Sequence, residues 1–172
     1  MTDKDKAEVF FNDGIAELVG HNYEKCIEAL NQALEIVPEN KIARLSRASA
    51  YMKLDRLEEA QADFDRVIKS HPEYAKAYHL RGLAHEKSGD NQAALKDFDR
   101  AIDFDPEYGA AYYSRANLHS NMGNEDRAPE DIEMVTHLTN VNIETFANEN
   151  NIWRSQHLKL EETGDLTDVM DR

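Results

Sequence analysis

Apolar residues recur along this chain at helical spacing, in runs that come in pairs. One pair is carried by Ala77, Tyr78, Gly82 and Ala84 and then by Ala93, Ala94, Phe98, Ala101 and Ile102. Between the runs stand turn-forming stretches, "KLDR", "KSGDN" and "NMGNE". Each pair therefore predicts a helix, a tight turn and a second helix. The stretch "DFDRVIKSHPEYAKAYHLRG", Asp63 to Gly82, returns as "DFDRAIDFDPEYGAAYYSRA", Asp97 to Ala116, with an offset of 34 residues. A period of that length predicts helical hairpins stacked into a solenoid.

The rest of the chain falls into the same frame. Proline stands at Pro38, Pro72 and Pro106, where it ends a second helix by withholding a hydrogen-bond donor and disfavouring helix at the residue before it. Two columns are small throughout, Gly14, Ala48, Gly82 and Ala116, and Cys26, Ala60, Ala94 and Ala128. They let the two helices of a hairpin approach closely. Two further columns are apolar, with Leu30, Phe64, Phe98 and Ile132 in one and Ala33, Val67, Ala101 and Val135 in the other. The fourth unit departs in two places: Pro129 falls inside its second helix, which should start late or bend, and Asn140 replaces the expected proline.

This pattern resembles the tetratricopeptide repeat (TPR) family, whose 34-residue unit carries a small residue in the first helix, an alanine early in the second and a proline near the end. The resemblance implies an all-α fold, a right-handed superhelix (α-solenoid) of four helix-turn-helix units at residues 7–40, 41–74, 75–108 and 109–142. Residues 1–6 are expected to be an N-terminal tail. From Ile143 to Leu160 the amphipathic spacing of Phe146, Trp153 and Leu160 predicts a capping helix over 143–161, because a stack of hairpins needs a polar outer face at its end. Trp153 would anchor that cap or, with Arg154, dock a partner, and the acidic stretch 162–172 is expected to be a disordered tail.

Composition narrows the function. Lys plus Arg total 20 against 34 Asp plus Glu, a formal charge of −14, which argues against nucleic acid as a partner. No apolar stretch is long enough for a signal peptide or a membrane span, and the single cysteine, Cys26, fits a reducing compartment. These features predict a cytoplasmic protein that does not bind membranes.

Candidate chemistry is sparse, and the chain reads as a non-enzyme without cofactor or metal. Cys26 sits in the small-residue column and reads as a buried hydrophobe. Asp63 and Asp65 are about 200° apart around a helix and do not converge. "DFDPE" lacks the glycine and distal glutamate of a calcium loop. His85 and His119 share a column where the family usually has an aromatic residue, but two imidazoles form an incomplete metal site. They read instead as packed rings with hydrogen-bonded tips.

What remains is binding. In the family, the first helices line a concave groove, and the resemblance carries that role onto Phe11, Ile15, Leu45, Ser49, Met52, Lys76, His79, Leu83, Tyr113 and Asn117. Across all the carried-over groove positions there are three lysines, Lys53, Lys76 and Lys87, against two glutamates, Glu8 and Glu86. The expected occupant is an extended or helical peptide of a partner protein, bound to an adaptor or assembly factor. The alternative is a homo-oligomer joined through the apolar first unit, Phe11, Ile15 and Leu18. Family members that clamp the C-terminal carboxylate of heat-shock chaperones use Lys, Asn and Arg at positions that here read Phe11, Ile15, Ser46, Lys76 and Leu80. Lys76 alone fits, so the resemblance does not extend to that subtype.

Overall fold

A computed structural model of the chain describes residues 2–124 and 126–149, with side chains described as far as residue 142. Among these residues every regular element is a helix: α1 (Asp3–Val19), α2 (Tyr23–Ile36), α3 (Lys41–Lys53), α4 (Leu57–Ser70), α5 (Ala75–Ser88), α6 (Asn91–Phe104), α7 (Gly109–Asn121) and α8 (Ala128–Glu149). No described helix is long and apolar enough to cross a membrane.

Caps and breakers place the helix ends. Residues 3–6 belong to α1, with Thr2 as its cap, and not to a tail. Asp5 Oδ2 accepts from the Thr2 N–H at 2.7 Å while Thr2 Oγ1 accepts from the Asp5 N–H at 3.2 Å, and this capping box starts α1 at Asp3. Asn40 caps α3 and Asp90 caps α6, each by accepting a backbone N–H at 3.0 Å. The hairpin turns share one left-handed position, His21, Asp55, Gly89 and Gly123, with φ of 60°, 58°, 85° and 75°. α8 starts three residues later in the frame than α2, α4 and α6, which leaves Pro129 in its first turn, where a missing N–H costs nothing. A separate capping helix starting at 143 does not form. Without a proline at 140, α8 runs unbroken to Glu149. The remainder of the expected cap, with Trp153, and the expected tail at 162–172 lie outside the described residues.

Consecutive helices pack against each other as hairpins and then as neighbouring hairpins. Phe64 and Phe98 are fully buried, each withdrawing a ring worth about 1.5–3 kcal/mol from water. The small-residue column makes room for them. A Cβ at Gly82 would lie 2.6 Å from Phe98 Cε1, so glycine allows α5 and α6 to close on the ring. Each first helix also touches the next first helix, α1 to α3, α3 to α5 and α5 to α7, whereas the described second helices do not reach one another. The stack is thus short on one side and splayed on the other, which makes it concave along the first helices.

A ladder of ion pairs fixes how the helices slide. Arg47, Arg81 and Arg115 stand in one 34-residue column, and each makes a bidentate pair with an aspartate 16 residues on. In the third unit, Arg81 Nε and Nη2 donate to the two oxygens of Asp97 at 2.8 and 2.7 Å. Its remaining amino group, Nη1, reaches back to Asp65 of the preceding second helix at 2.7 Å. Arg115 repeats this with Asp131 and Asp99, and Arg47 with Asp63 and Asn31. The inner carboxylates are buried, with Asp63, Asp97 and Asp131 at 3, 5 and 3% exposure. Asp63 and Asp65 do point apart, because they serve two different arginines.

Removing one partner of such a pair leaves a buried charge alone. Arg81→Leu should lower unfolding free energy by about 3–5 kcal/mol in urea titration, and Arg81→Leu with Asp97→Leu should recover most of that loss. Equal loss in the single and double variants would show that Arg81 matters through packing rather than through Asp97.

Candidate functional site

The concave wall is built by α1, α3, α5 and α7, and its charge differs from that of the splayed side. α3, α5 and α7 together hold eight Lys and Arg against one acid, Glu86, for a net +7, while α1 holds two lysines against five acids, which brings the whole wall to +4. α2, α4, α6 and α8 hold five Lys and Arg against fifteen acids, for a net −10. The three ladder arginines spend their charge on the second helices. Of the wall's lysines, Lys87 is also tied down, donating to the Met52 carbonyl at 2.6 Å and pairing with Asp55 at 2.5 Å. Lys53 and Lys76 are exposed.

The structure divides the expected groove residues into two sets. Tyr113, 59% exposed, projects from α7 with Asn117 one turn on, and Lys76 is exposed at the start of α5. Ser49 is half-buried, its Oγ donating to the Leu45 carbonyl at 2.9 Å. Met52 and Leu83 are half-buried, packed on the Phe64 and Phe98 cores respectively, so each offers one side to the wall. Leu45 does not belong to an accessible groove. At 4% exposure it sits in the core with Phe64, Val67 and Ala77, because α3 turns this position toward α4 and α5. Phe11 is half-buried against Cys26, Leu30 and Ala43, while Ile15 is half-buried.

His79 is likewise not open to a ligand. It is 7% exposed between α5 and α7, where Nε2 bonds Ser114 Oγ at 2.9 Å and Nδ1 bonds the Tyr108 hydroxyl at 3.2 Å. Its ring meets Tyr108 edge-on, with centroids 5.2 Å apart. Burial, helped by the charge of Lys76, pushes its pKa down to about 4. The ring is therefore neutral mortar between two wall helices.

Other candidates resolve into structure. Cys26 is fully buried, and burial followed by the nearby Glu17 charge pushes its thiol up to about 11, so it is a poor nucleophile. His85 Nδ1 bonds Gln61 at 3.3 Å and its Nε2 lies 3.7 Å from Asp97. One unit later, Leu95 stands in the Gln61 column. His119, 7% exposed, accordingly has no hydrogen-bond partner for Nδ1 among the described residues. Sequence reasoning overlooked the Arg–Asp ladder, although its signal was present in the 34-residue columns of Arg47, Arg81 and Arg115 and of Asp63, Asp97 and Asp131.

Stacked hairpins with a splayed acidic side and a continuous first-helix wall define a helical-repeat protein. The chain belongs to the tetratricopeptide repeat family, whose sequence profile matches residues 11–75, 45–109 and 79–133. It is 32% identical over 92 residues to the mitochondrial import receptor subunit TOM70 of Rattus norvegicus, a match covering 51% of this chain and 15% of that protein. It is 32% identical over 73 residues to a STIP1 homolog of Dictyostelium discoideum, covering 42% of this chain and 13% of the relative. The chain thus spans a small part of the curated relatives it matches. Among solved structures, the first TPR of Spaghetti (RPAP3), bound to the HSP90 peptide SRMEEVD, superposes with a TM-score of 0.65 at 24% identity, covering 70% of this chain and 95% of that one. MamA 41-end from Desulfovibrio magneticus RS-1 gives 0.71 at 21% identity, covering 80 and 78%.

Two outcomes follow from the histidines. Between about pH 6.5 and pH 4 the unfolded chain binds a proton at position 79 that the folded chain refuses, so stability should fall as pH drops through 6.5 toward 4. Thermal melts of His79→Gln should show a shallower decline over that window; an unchanged slope would mean His79 is not the group that resists protonation. Leu95→Gln should supply His119 with the amide that His85 already has and raise stability by about 1 kcal/mol in urea titration. A loss of stability there would mean Leu95 matters more as packing than His119 does as an unmet polar group.

Proposed function

We propose that this chain is a protein-interaction adaptor that holds an extended or helical segment of a partner protein along its concave wall. The observation that carries this reading is the partition of charge and exposure. In a chain with a surplus of acid, the wall helices from α3 onward keep nearly all their charge basic and present Tyr113, Asn117 and Lys76 to solvent. An exposed tyrosine among amide and ammonium groups is the kind of anchor that dominates binding energy in protein interfaces. Met52 and Leu83 add apolar floor, and Lys53 and Lys76 favour a segment with acidic side chains.

The reading stops short of a carboxylate clamp. Phe11, Ile15 and Leu80 are apolar and half-buried, so the clamp positions offer Lys76 as their one cation. Self-association through the first unit is the weaker reading, since Phe11 and Leu18 pack on the core shared by α2 and α3.

The test is capture from a lysate of the source cell, with partners read by mass spectrometry. Lys76→Glu, Tyr113→Ala and Asn117→Ala change exposed wall positions, and the triple variant should fold normally by circular dichroism. It should bind the captured partner at least tenfold more weakly, a loss of about 1.4 kcal/mol or more. Undiminished capture by this variant, combined with loss in Arg66→Glu/Arg100→Glu on the second helices, would place the binding surface on the other side.

A further inference from the structure

Every internal junction of the stack is made by the same columns, so its last face can be read by translation. In α2, α4 and α6, Leu30, Phe64 and Phe98 are fully buried, each sharing a packed cluster with the first helix of the next hairpin. Those first helices all present one pattern: Ala43, Arg47 and Ala50; Ala77, Arg81 and Ala84; Ala111, Arg115 and Leu118. The two apolar positions let the helix lie close. The arginine turns an amino group back to Asn31, Asp65 or Asp99 of the preceding second helix.

On α8 no described residue covers the same face. Ile132, next in the column of Leu30, Phe64 and Phe98, is 54% exposed, and Pro129 and Thr136 beside it are exposed. The position that follows Asn31, Asp65 and Asp99 is Glu133, also exposed. Where a fifth hairpin would begin its first helix, the backbone instead continues α8 straight to Glu149. α8 carries no Lys or Arg, so this face combines the apolar Ile132 and Pro129 with the exposed carboxylate of Glu133 and no compensating cation on the helix.

We propose that this face of α8 is a second docking surface, separate from the concave wall, for a partner helix bearing the pattern Ala–x3–Arg–x2–apolar. The occupant's chemistry is fixed by what the first three junctions accept: an alanine and a second apolar residue over Ile132 and an arginine opposite Glu133. The chain's own α1 is the natural competitor, because its equivalent face, Val9, Asp13 and Ala16, is exposed among the described residues. Asp13, however, stands where the pattern requires arginine, so stacking one copy on another would bring it toward Glu133. Ala29 likewise replaces the aspartate that would hold such an arginine, and Asp13 and Ala29 line one cleft of about 420 Å³ between α1 and α2. Like charges at the two open ends thus keep copies from stacking head to tail and leave the α8 face to a different protein.

The 172-residue chain can be made its own probe. Val9→Ala, Asp13→Arg and Ala29→Asp together write the internal pattern onto α1. By sedimentation equilibrium the wild type should stay monomeric, while this triple variant should show an average mass that rises with concentration past that of a dimer, as a head-to-tail contact requires. Adding Glu133→Arg should return it to monomer. The proposal is overturned if the triple variant, folded by circular dichroism, remains monomeric, as it would were residues 150–172 of this chain to cover the face. It is equally overturned if wild type and Glu133→Arg self-associate alike, since the arginine would then be irrelevant to what the face accepts.

Discussion

The bidentate pairing of Arg47 with Asp63, Arg81 with Asp97 and Arg115 with Asp131 is the constraint on which the rest of the structure depends. Apolar packing brings two helices together but tolerates sliding, whereas a guanidinium that must meet both oxygens of a buried carboxylate does not. Each arginine also engages the previous hairpin, so one residue sets the register within a unit and between units. Desolvation offsets much of the attraction within the inner pairs, so removing one partner costs far more than replacing both with apolar residues. Arg81 and Arg115 are held protonated by these bonds, with pKa values above the usual range for arginine.

The ladder also sorts charge. By drawing the arginines' guanidinium groups toward the second helices, it leaves the concave wall with lysines at Lys53 and Lys76 and with neutral polar groups at Tyr113 and Asn117, while the acids accumulate on α2, α4, α6 and α8. His79, wedged between Ser114 and Tyr108, does for α5 and α7 what the ladder does for the hairpins.

The hairpins, their period and their small and large columns were legible in the sequence because each obeys a local rule repeated several times. Gly82 opposite Phe98 and the prolines at 38, 72 and 106 could be read one residue at a time. The groove was legible only in part. Position within a unit says which helix a residue occupies, but Leu45 and Tyr113 share a column and differ from 4 to 59% in exposure. Leu45 is capped by α4 and α5, whereas Tyr113 stands where the stack thins out. The ladder escaped because its partners lie on different helices, sixteen residues apart, and meet only after the hairpin closes. The extent of α8 depended on a missing signal, Asn140 in place of proline, whose consequence is continuation of the helix and not a boundary.

The claim that the first-helix wall receives the partner is tested most directly by site-specific photo-crosslinking. A photoreactive amino acid placed in turn at Met52, Leu83 and Tyr113 on the wall, and at Arg66 and Arg100 on the second helices, would report which surface lies against the captured segment. Crosslinks to one partner from the three wall positions, absent from the two outer ones, are the predicted result. Crosslinks confined to Arg66 and Arg100 would contradict the account.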